Sequence, residues 1–422
     1  MTTPRTSRRQ FLRLASAGGA AVVLSALPGT SWAASPDSGR LRCYVIVTDG
    51  CRPEEITPAL TPNLAALRDG GTSFPAARSL PVMETIPNHV MMMTGVRPDR
   101  SGVPANSFYD RAEGTVRDMD RATDLRFPTL LERLQEKGLT TGSVLSKKYL
   151  YGVFGERASY RWEPFPLVPG TNHAPDAATI DALIAMVHGP DPDMVFTNLG
   201  DIDRVGHLDL TGTTLRAARD AALADTDVQV GRFVDHLKDT GRWQSSVILV
   251  LADHSMDWSV PTNVISVSLA LTGRADLRSS ITVAQNGGAD LIYWTGDGAA
   301  RGTGLSEIRA ILAEHPGVLR IDDPAVLRLG AEAGDLVVFC RAGWRFSDPY
   351  IVSNPIPGNH GHPATEPIPF FVAGGSSRVL RGRVSSEQAR TLDVAPTIGA
   401  LYGLHAPAGG YDGTARTTAF EY

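Results

Sequence analysis

Buried apolar runs alternate with amphipathic stretches along most of this chain. Residues 41–48 are a β-branched apolar run that stops at Asp49-Gly50, the pattern of a buried strand entering a loop. Residues 61–69 have helical spacing and end at Gly70-Gly71. Residues 86–94, 127–137 and 177–187 read as further helices, and 140–145, 194–199 and 247–252 as further strands. Residues 214–239 read as one long amphipathic helix. This alternation predicts an α/β fold: a central, mostly parallel sheet with helices on both faces. Between 255 and 350 the rhythm breaks. Short β-like runs at 281–284, 291–294 and 336–340 accompany one helix near 306–314, which predicts a smaller α+β cap or insertion. The sheet resumes at 368–372, and 389–402, which carries Pro396, reads as a closing helix. The catalytic core is thus expected in two parts, 41–254 and 351–422, around a cap at 255–350.

Composition leaves that picture intact. The 422 residues are 42% hydrophobic and 20% charged, as in an ordinary globular protein with room for a large core. The net charge is -5 and no basic stripe is present, which excludes nucleic-acid binding by bulk charge. The first 33 residues differ: they hold four arginines and no acid, so without them the net charge moves from -5 to about -9. Ser7-Arg8-Arg9-Gln10-Phe11-Leu12 resembles a twin-arginine export signal. The apolar stretch 14–27 is too short and too rich in Ala and Gly to span a bilayer, and Ser31-Trp32-Ala33 is a small-x-small cleavage site. The expectation is a signal at 1–33, a linker at 34–40, no stable membrane span, and a periplasmic or secreted protein. Cys43, Cys51 and Cys340 match no zinc spacing, and no disulfide is expected.

Candidate chemistry stands where the buried runs end, which is where open α/β sheets gather their ligands. Asp49 closes the first run; a carboxylate there needs a partner, and a metal ion meets the need. Asp203 and His207 form an Asp-x-x-x-His unit that lets both reach one ion, although a surface loop fits it too. Asp253 and His254 follow the strongly apolar 247–252 run. His360 and His362 lie in a Gly- and Pro-rich loop, a poor place for core histidines and a good one for ligands. Thr85 begins the 86–94 helix. It is either a capping threonine, worth about 1 kcal/mol, or a nucleophile whose hydroxyl a metal activates. Two metals a few ångströms apart can clamp both oxygens of a displacement, so the set points to phosphoryl transfer.

These pieces resemble the alkaline phosphatase superfamily, and within it the type I phosphodiesterase and nucleotide pyrophosphatase family. The resemblance spans nearly all of 41–405. It rests on Asp49-Gly50-x-Arg52-Pro53, Thr61-Pro62-Asn63-Leu64, Thr85-x-Pro87-Asn88-His89, Thr94-Gly95-x-x-Pro98 and Asn106-x-x-x-Asp110. It continues through Asp203-x-x-x-His207, Asp253-His254-x-Met256, Gly358-x-His360-Gly361 and Asp393-Val394-Ala395-Pro396-Thr397. The resemblance implies two zinc ions per chain. Asp49, Thr85, Asp253 and His254 would hold one, and Asp203, His207 and His360 the other. Thr85 would attack phosphorus to give a phosphothreonine, which water then hydrolyses. Asn106, with the Thr85 N–H, would hold a phosphoryl oxygen. The Gly-x-His-Gly frame favours His360 over its alternative His362 as ligand, and His89 is expected to anchor its helix.

Departures from the family pattern bear on the substrate. Ile86 stands where nucleotide-cleaving members usually carry Phe, Ser255 replaces a Gly, and His362-Pro363-Ala364 replaces a Tyr–Asp–Asn continuation. Lys147-Lys148, beside Tyr149 and Tyr151, is either a solvated strand end or a cation for a substrate carboxylate or second phosphate. Phe108, Tyr109, Phe154, Tyr160 and Trp162 are either pocket lining or core. The expected function is an exported two-zinc phosphodiesterase acting on a small-molecule phosphate ester. The alternatives are a phosphomonoesterase or a phosphonoacetate-hydrolase-like enzyme, and, in another class, an inactive metal-binding protein that recognises a partner through 255–350. No Cys/Ser-x-Pro-x-Arg element supports a sulfatase, and a threonine nucleophile argues against cofactor-independent phosphoglycerate mutases. No residue pattern sets an oligomeric state.

Overall fold

The computed structural model describes residues 40–164, 167–208 and 214–421, so the signal at 1–33 and nearly all of the linker lie outside the described residues. Among the described residues the central sheet has eight strands: β1 (Arg42–Thr48), β2 (Thr72–Ser73), β3 (Thr141–Leu145), β4 (Tyr160–Trp162), β5 (Met194–Leu199), β6 (Ser246–Leu251), β7 (Phe370–Ala373) and β8 (Arg383–Val384). Their order across the sheet is β8-β2-β7-β6-β1-β5-β3-β4. β6, β1, β5, β3 and β4 are parallel neighbours, whereas β7 runs antiparallel to β6 and β2. Every residue of β1, β5, β6 and β7 is buried. A strand covered on both faces needs apolar residues at nearly every position, which is why these runs show no alternation.

The covering helices are α1 (Pro62–Gly70), α2 (Thr85–Thr94), α3 (Leu130–Glu136), α4 (Lys148–Phe154), α5 (Asp176–His188), α6 (Asp201–His207), α7 (Thr214–Asp239) and α8 (Val394–Leu401). α1, α5 and α6 pack against α7, and α2 packs with α3, α4 and α8. The two groups lie on opposite faces. Tyr44 of β1 meets Phe233 of α7 edge-on at 5.1 Å. Phe196 of β5, in register with the next β1 residue Val45, instead meets His89 of α2 and Phe154 of α4. Successive strand side chains point to opposite faces, so the two contacts define the two sides.

A second, antiparallel sheet joins residues Ile281–Asn286, Ala289–Trp294, Leu336–Cys340 and Val318–Asp322 in that order. Its alternation divides two cores. Leu291, Tyr293, Val337 and Phe339 enter the main core, while Ile292, Trp294, Leu336 and Val338 enter a separate one with Ile308, Leu312 and Phe346. The first two strands join through Gly287-Gly288, where Gly287 takes the left-handed φ of +64° that a two-residue hairpin turn requires.

Some boundaries move from those the sequence suggests. The helix expected at 389–402 begins at Val394, because Pro396 has no N–H and fits only in a first turn. The helix expected from 127 begins at Leu130, where Thr129 and Glu132 form a reciprocal capping box. Thr85 is the first helical residue of α2 rather than its cap, which is Glu84. The strand Val318–Asp322 is unforeseen: its half-exposed pattern carries little apolar signal.

Candidate active site

Four of the five parallel neighbours deliver polar residues to the same sheet edge. Asp49 follows β1, Lys147 follows β3, α6 follows β5, and Asp253-His254 follows β6. Parallel strands end on one side, so residues far apart in sequence meet there. Asp176, in the first turn of α5, accepts the N–H groups of Gly200 (2.8 Å) and Asp201 (3.2 Å), which caps α6 from a neighbouring helix. One turn along α6, Asp203 and His207 face the same way, with Oδ1 and Nε2 3.3 Å apart. The loop after Gly358–Asn359 brings His360 Nε2 to 3.1 Å from His207 Nε2. Its ring stacks on that of His254 at 3.7 Å between centroids. His254 Nε2 lies 3.4 Å from Asp253 Oδ2, 3.7 Å from Asp49 Oδ1 and 3.2 Å from the hydroxyl of Thr85.

Asp49, Asp253 and His254 form one group whose ligand atoms lie within 4.8 Å of one another, and Asp203, His254 and His360 form another. Three carboxylate oxygens pointing into these groups, Asp49 Oδ1, Asp203 Oδ1 and Asp253 Oδ2, are buried without a hydrogen-bond partner. Orphaned buried anionic oxygens are costly, so this donor set fits cations. Mixed imidazole nitrogen and carboxylate oxygen is the ligand chemistry of zinc-type ions. Around the ligands, His207 Nδ1 contacts the Gly358 carbonyl (2.8 Å) and His254 Nδ1 the Ser255 carbonyl (2.9 Å), which turns each Nε2 inward.

Residues 44–362 match the family described as Type I phosphodiesterase / nucleotide pyrophosphatase. The chain belongs to that family. It is therefore a phosphoric ester hydrolase by kinship. Solved structures agree in fold. Murine ectonucleotide pyrophosphatase/phosphodiesterase 5 is 17% identical, with 90% of this chain and 100% of that one aligned at a TM-score of 0.73. An inactive form of the same murine protein in complex with AMP gives 16% identity, the same coverage and a TM-score of 0.75. Phosphonoacetate hydrolase from Sinorhizobium meliloti, in complex with phosphonoformate, is 20% identical over 84% of this chain and 94% of that one, with a TM-score of 0.67.

In this phosphodiesterase-family chain a cavity of about 260 Å³ opens at the ligand groups. Thr85, Asp203, His207 and His360 stand in its wall with Ile86 and Asn106. The Asn106 Oδ1 accepts the Ile86 N–H at 2.7 Å, which leaves its Nδ2 as the donor for the cavity. Phe108 and Tyr109 are not in the wall, contrary to their candidacy as substrate contacts. Phe108 is buried under the Arg117 guanidinium, and Tyr109 packs edge-on against Tyr293. His362 points elsewhere, to Asp257 at 3.0 Å, which leaves His360 as the histidine facing the ligand groups. His89 contacts the Thr85 carbonyl (2.8 Å) and the Asn198 amide (3.0 Å), tying α2 to β5 as expected of an anchor. Cys43, Cys51 and Cys340 are buried and free, and Cys51 does not line the cavity.

Lys147 corrects both sequence readings. It is neither solvated nor turned toward substrate. Its fully buried ammonium sits 2.8 Å from Asp49 and 2.7 Å from Asp203, bridging the two ligand groups. Burial alone would raise the Asp203 carboxyl, but Lys147 and His207 outweigh it and hold the group well below the usual carboxylate range. Asp49 is pushed up by burial and by the neighbouring Asp253. Burial and the His360 ring keep His254 neutral, well below an ordinary histidine.

Several wall and support residues escape a sequence reading. Asn198 donates to Asp49 Oδ2 at 2.8 Å; a lone amide inside an apolar strand is the signal that marks it. Glu84, Gln285 and Asn286 line the cavity, the last two from the cap. Asn286 holds the Ser107 backbone through both its N–H (2.8 Å) and its carbonyl (3.0 Å), beside Asn106. No pattern in the cap sequence points to that contact.

Proposed function

We propose that this chain hydrolyses phosphodiesters through a phosphothreonine at Thr85, with two zinc ions at the adjoining ligand groups. One observation supports this most: the Thr85 hydroxyl stands in the cavity wall 3.2 Å from His254, beside partnerless carboxylate oxygens. Asp49, Thr85, Asp253 and His254 would hold one ion and Asp203, His207 and His360 the other. The ions would supply charge to lower the threonine pKa and to neutralise phosphoryl oxygens. Thr85 Oγ1 gives up its proton and bonds to phosphorus while the P–O bond to the leaving alcohol breaks. The alcohol takes up a proton. Water then attacks phosphorus, the Thr85 Oγ1–P bond breaks, and the threonine is restored. Asn106 Nδ2 and the Thr85 N–H face the oxygen on which charge builds, which lowers the barrier only where such donors are fixed beforehand.

The substrate is read as a small phosphate ester; the AMP held by the murine relative is of that class. A phosphonoacetate-type substrate needs a cation for its carboxylate, and among the described residues no Lys or Arg lines the cavity. Completeness of the ligand set favours an enzyme over an inactive recognition protein. The twin-arginine pattern at 7–12 supports export to the periplasm or beyond. Among the described residues no helix is long and apolar enough to cross a membrane. The reading is tested by giving purified enzyme bis-p-nitrophenyl phosphate and trapping it by acid quench. A p-nitrophenyl phosphoryl group on Thr85 in the tryptic peptide, with two zinc ions per chain, supports it; turnover without that adduct or metal refutes it.

A further inference from the structure

Glu84 is an acid with no obvious task. It precedes the proposed nucleophile at the N-cap of α2, yet its side chain makes no capping hydrogen bond. It is buried, at 3% exposure, and its Oε1 lies 3.1 Å from Nδ1 of His360. The backbone is shaped around this carboxylate. Gly361 holds a φ of +103°, and a Cβ there would stand 3.0 Å from Glu84 Oε1 and 2.5 Å from the Asn286 carbonyl. A Cβ on Gly287, in the cap turn, would come within 3.5 Å of the same oxygen and 2.8 Å of the His360 carbonyl. Gly361 thus leaves room for the acid, Gly287 leaves room for the His360 carbonyl beside it, and Met83 bridges to Gly361.

We propose that Glu84 is a positioning residue: it accepts the Nδ1–H of His360 and so commits Nε2 to the ion held with Asp203 and His207. The proposal rests on the reading of His360 as a ligand. A histidine bound through one nitrogen is oriented and made more basic by the acceptor on the other. His207 and His254 have backbone carbonyls in that role, so of these three histidines only His360 meets a carboxylate through Nδ1. The Met83 carbonyl, also 3.1 Å from His360 Nδ1, is the competitor. An acid here would tighten one ion selectively, because Glu84 faces His360 and not Asp49 or Asp253.

Zinc affinity, measured by chelator competition on full-length protein, tests this without any substrate. Glu84→Gln keeps an acceptor oxygen and the side-chain volume but loses the charge; Glu84→Ala loses both. The expected result is weaker binding of one of the two ions, by about 10–100-fold for Ala and less for Gln, with the other ion unchanged. If Glu84→Gln and Glu84→Ala both bind like wild type while His360→Ala loses one ion, the Met83 carbonyl suffices and the inference fails alone. If His360→Ala also binds like wild type, the metal reading of His360 fails with it. Should Glu84→Ala not fold, the near-isosteric Gln variant carries the test: wild-type affinity for both ions overturns the proposal.

Discussion

The hydroxyl of Thr85 and the Nε2 of His254 lie 3.2 Å apart, although 169 positions separate the residues. The contact exists because α2 starts at the sheet edge where β6 ends. Thr85→Ala removes the hydroxyl and leaves the helix start, whose cap is Glu84. Turnover of bis-p-nitrophenyl phosphate is expected to fall by roughly 10³-fold or more, as when other covalent nucleophiles are removed. Zinc content falls by at most one ion, and Thr85→Ser keeps part of the activity. Turnover in the Ala variant within tenfold of wild type removes Thr85 from the mechanism.

Asn106 divides its amide between two tasks. Its oxygen takes the Ile86 N–H at 2.7 Å and its nitrogen is left for the cavity. Asn106→Asp keeps the first task and replaces the donor by an anion. It should lower kcat by about 10²–10³-fold, the usual loss when one donor to a developing oxyanion is removed, with little change in melting temperature. Asn106→Ala should lose activity similarly and also loosen the start of α2. Stopped-flow kinetics beside calorimetry separates the two; an Asp variant with normal kcat assigns Asn106 to structure alone.

Asp49, Asp203 and Asp253 are legible in sequence because they follow fully buried strands, where a charge is costly unless a counter-ion meets it, whereas His360 shows through its Gly- and Pro-rich loop. Asp49 and Asp253 carry that signal plainly. The parallel sheet is legible for the same reason: β1, β5 and β6 are apolar at nearly every position. Lys147 shows the limit. The lysine pair after β3 looks alike in sequence, yet Lys147 is buried and Lys148 is exposed. Only the approach of Asp49 and Asp203 from other strands decides which turns inward. Phe108 fails for a related reason: an aromatic near a site is core or wall according to what covers it, here Arg117. The cap contacts of Asn286 depend on a hairpin docking across the cavity, and no local period encodes docking.

The Lys147 ammonium bridges Asp49 and Asp203 at 2.8 and 2.7 Å with no exposed surface. In Lys147→Met the two carboxylates lose their common counter-charge. Without metal, the variant should be less stable by roughly 3–5 kcal/mol, the range seen when one partner of a buried ion pair is removed. Bound zinc supplies charge to the same carboxylates and should recover most of the loss. Melting with and without chelator measures this. The gap between the two melting temperatures should widen in Lys147→Met, and an unchanged gap means the lysine charge does not matter there.

Asp176 ties α5 to the start of α6, and its carboxyl is pushed up from 3.8 to about 8 by burial and by the neighbouring Asp201. The native state therefore holds a proton there that the unfolded chain has released above about pH 4. With more protons bound in the native state, this group's stability contribution is complete below the unfolded pKa and declines as pH rises toward 8. Asp176→Asn keeps an acceptor for the Gly200 and Asp201 N–H groups, now at 2.8 and 3.2 Å, and cannot ionise. Relative to wild type, the Asn variant should gain stability between pH 5 and 8, read as a rising difference in melting temperature. A difference that stays flat across that window means Asp176 keeps its ordinary carboxylate pKa in the fold, and a falling one reverses the sign argued here.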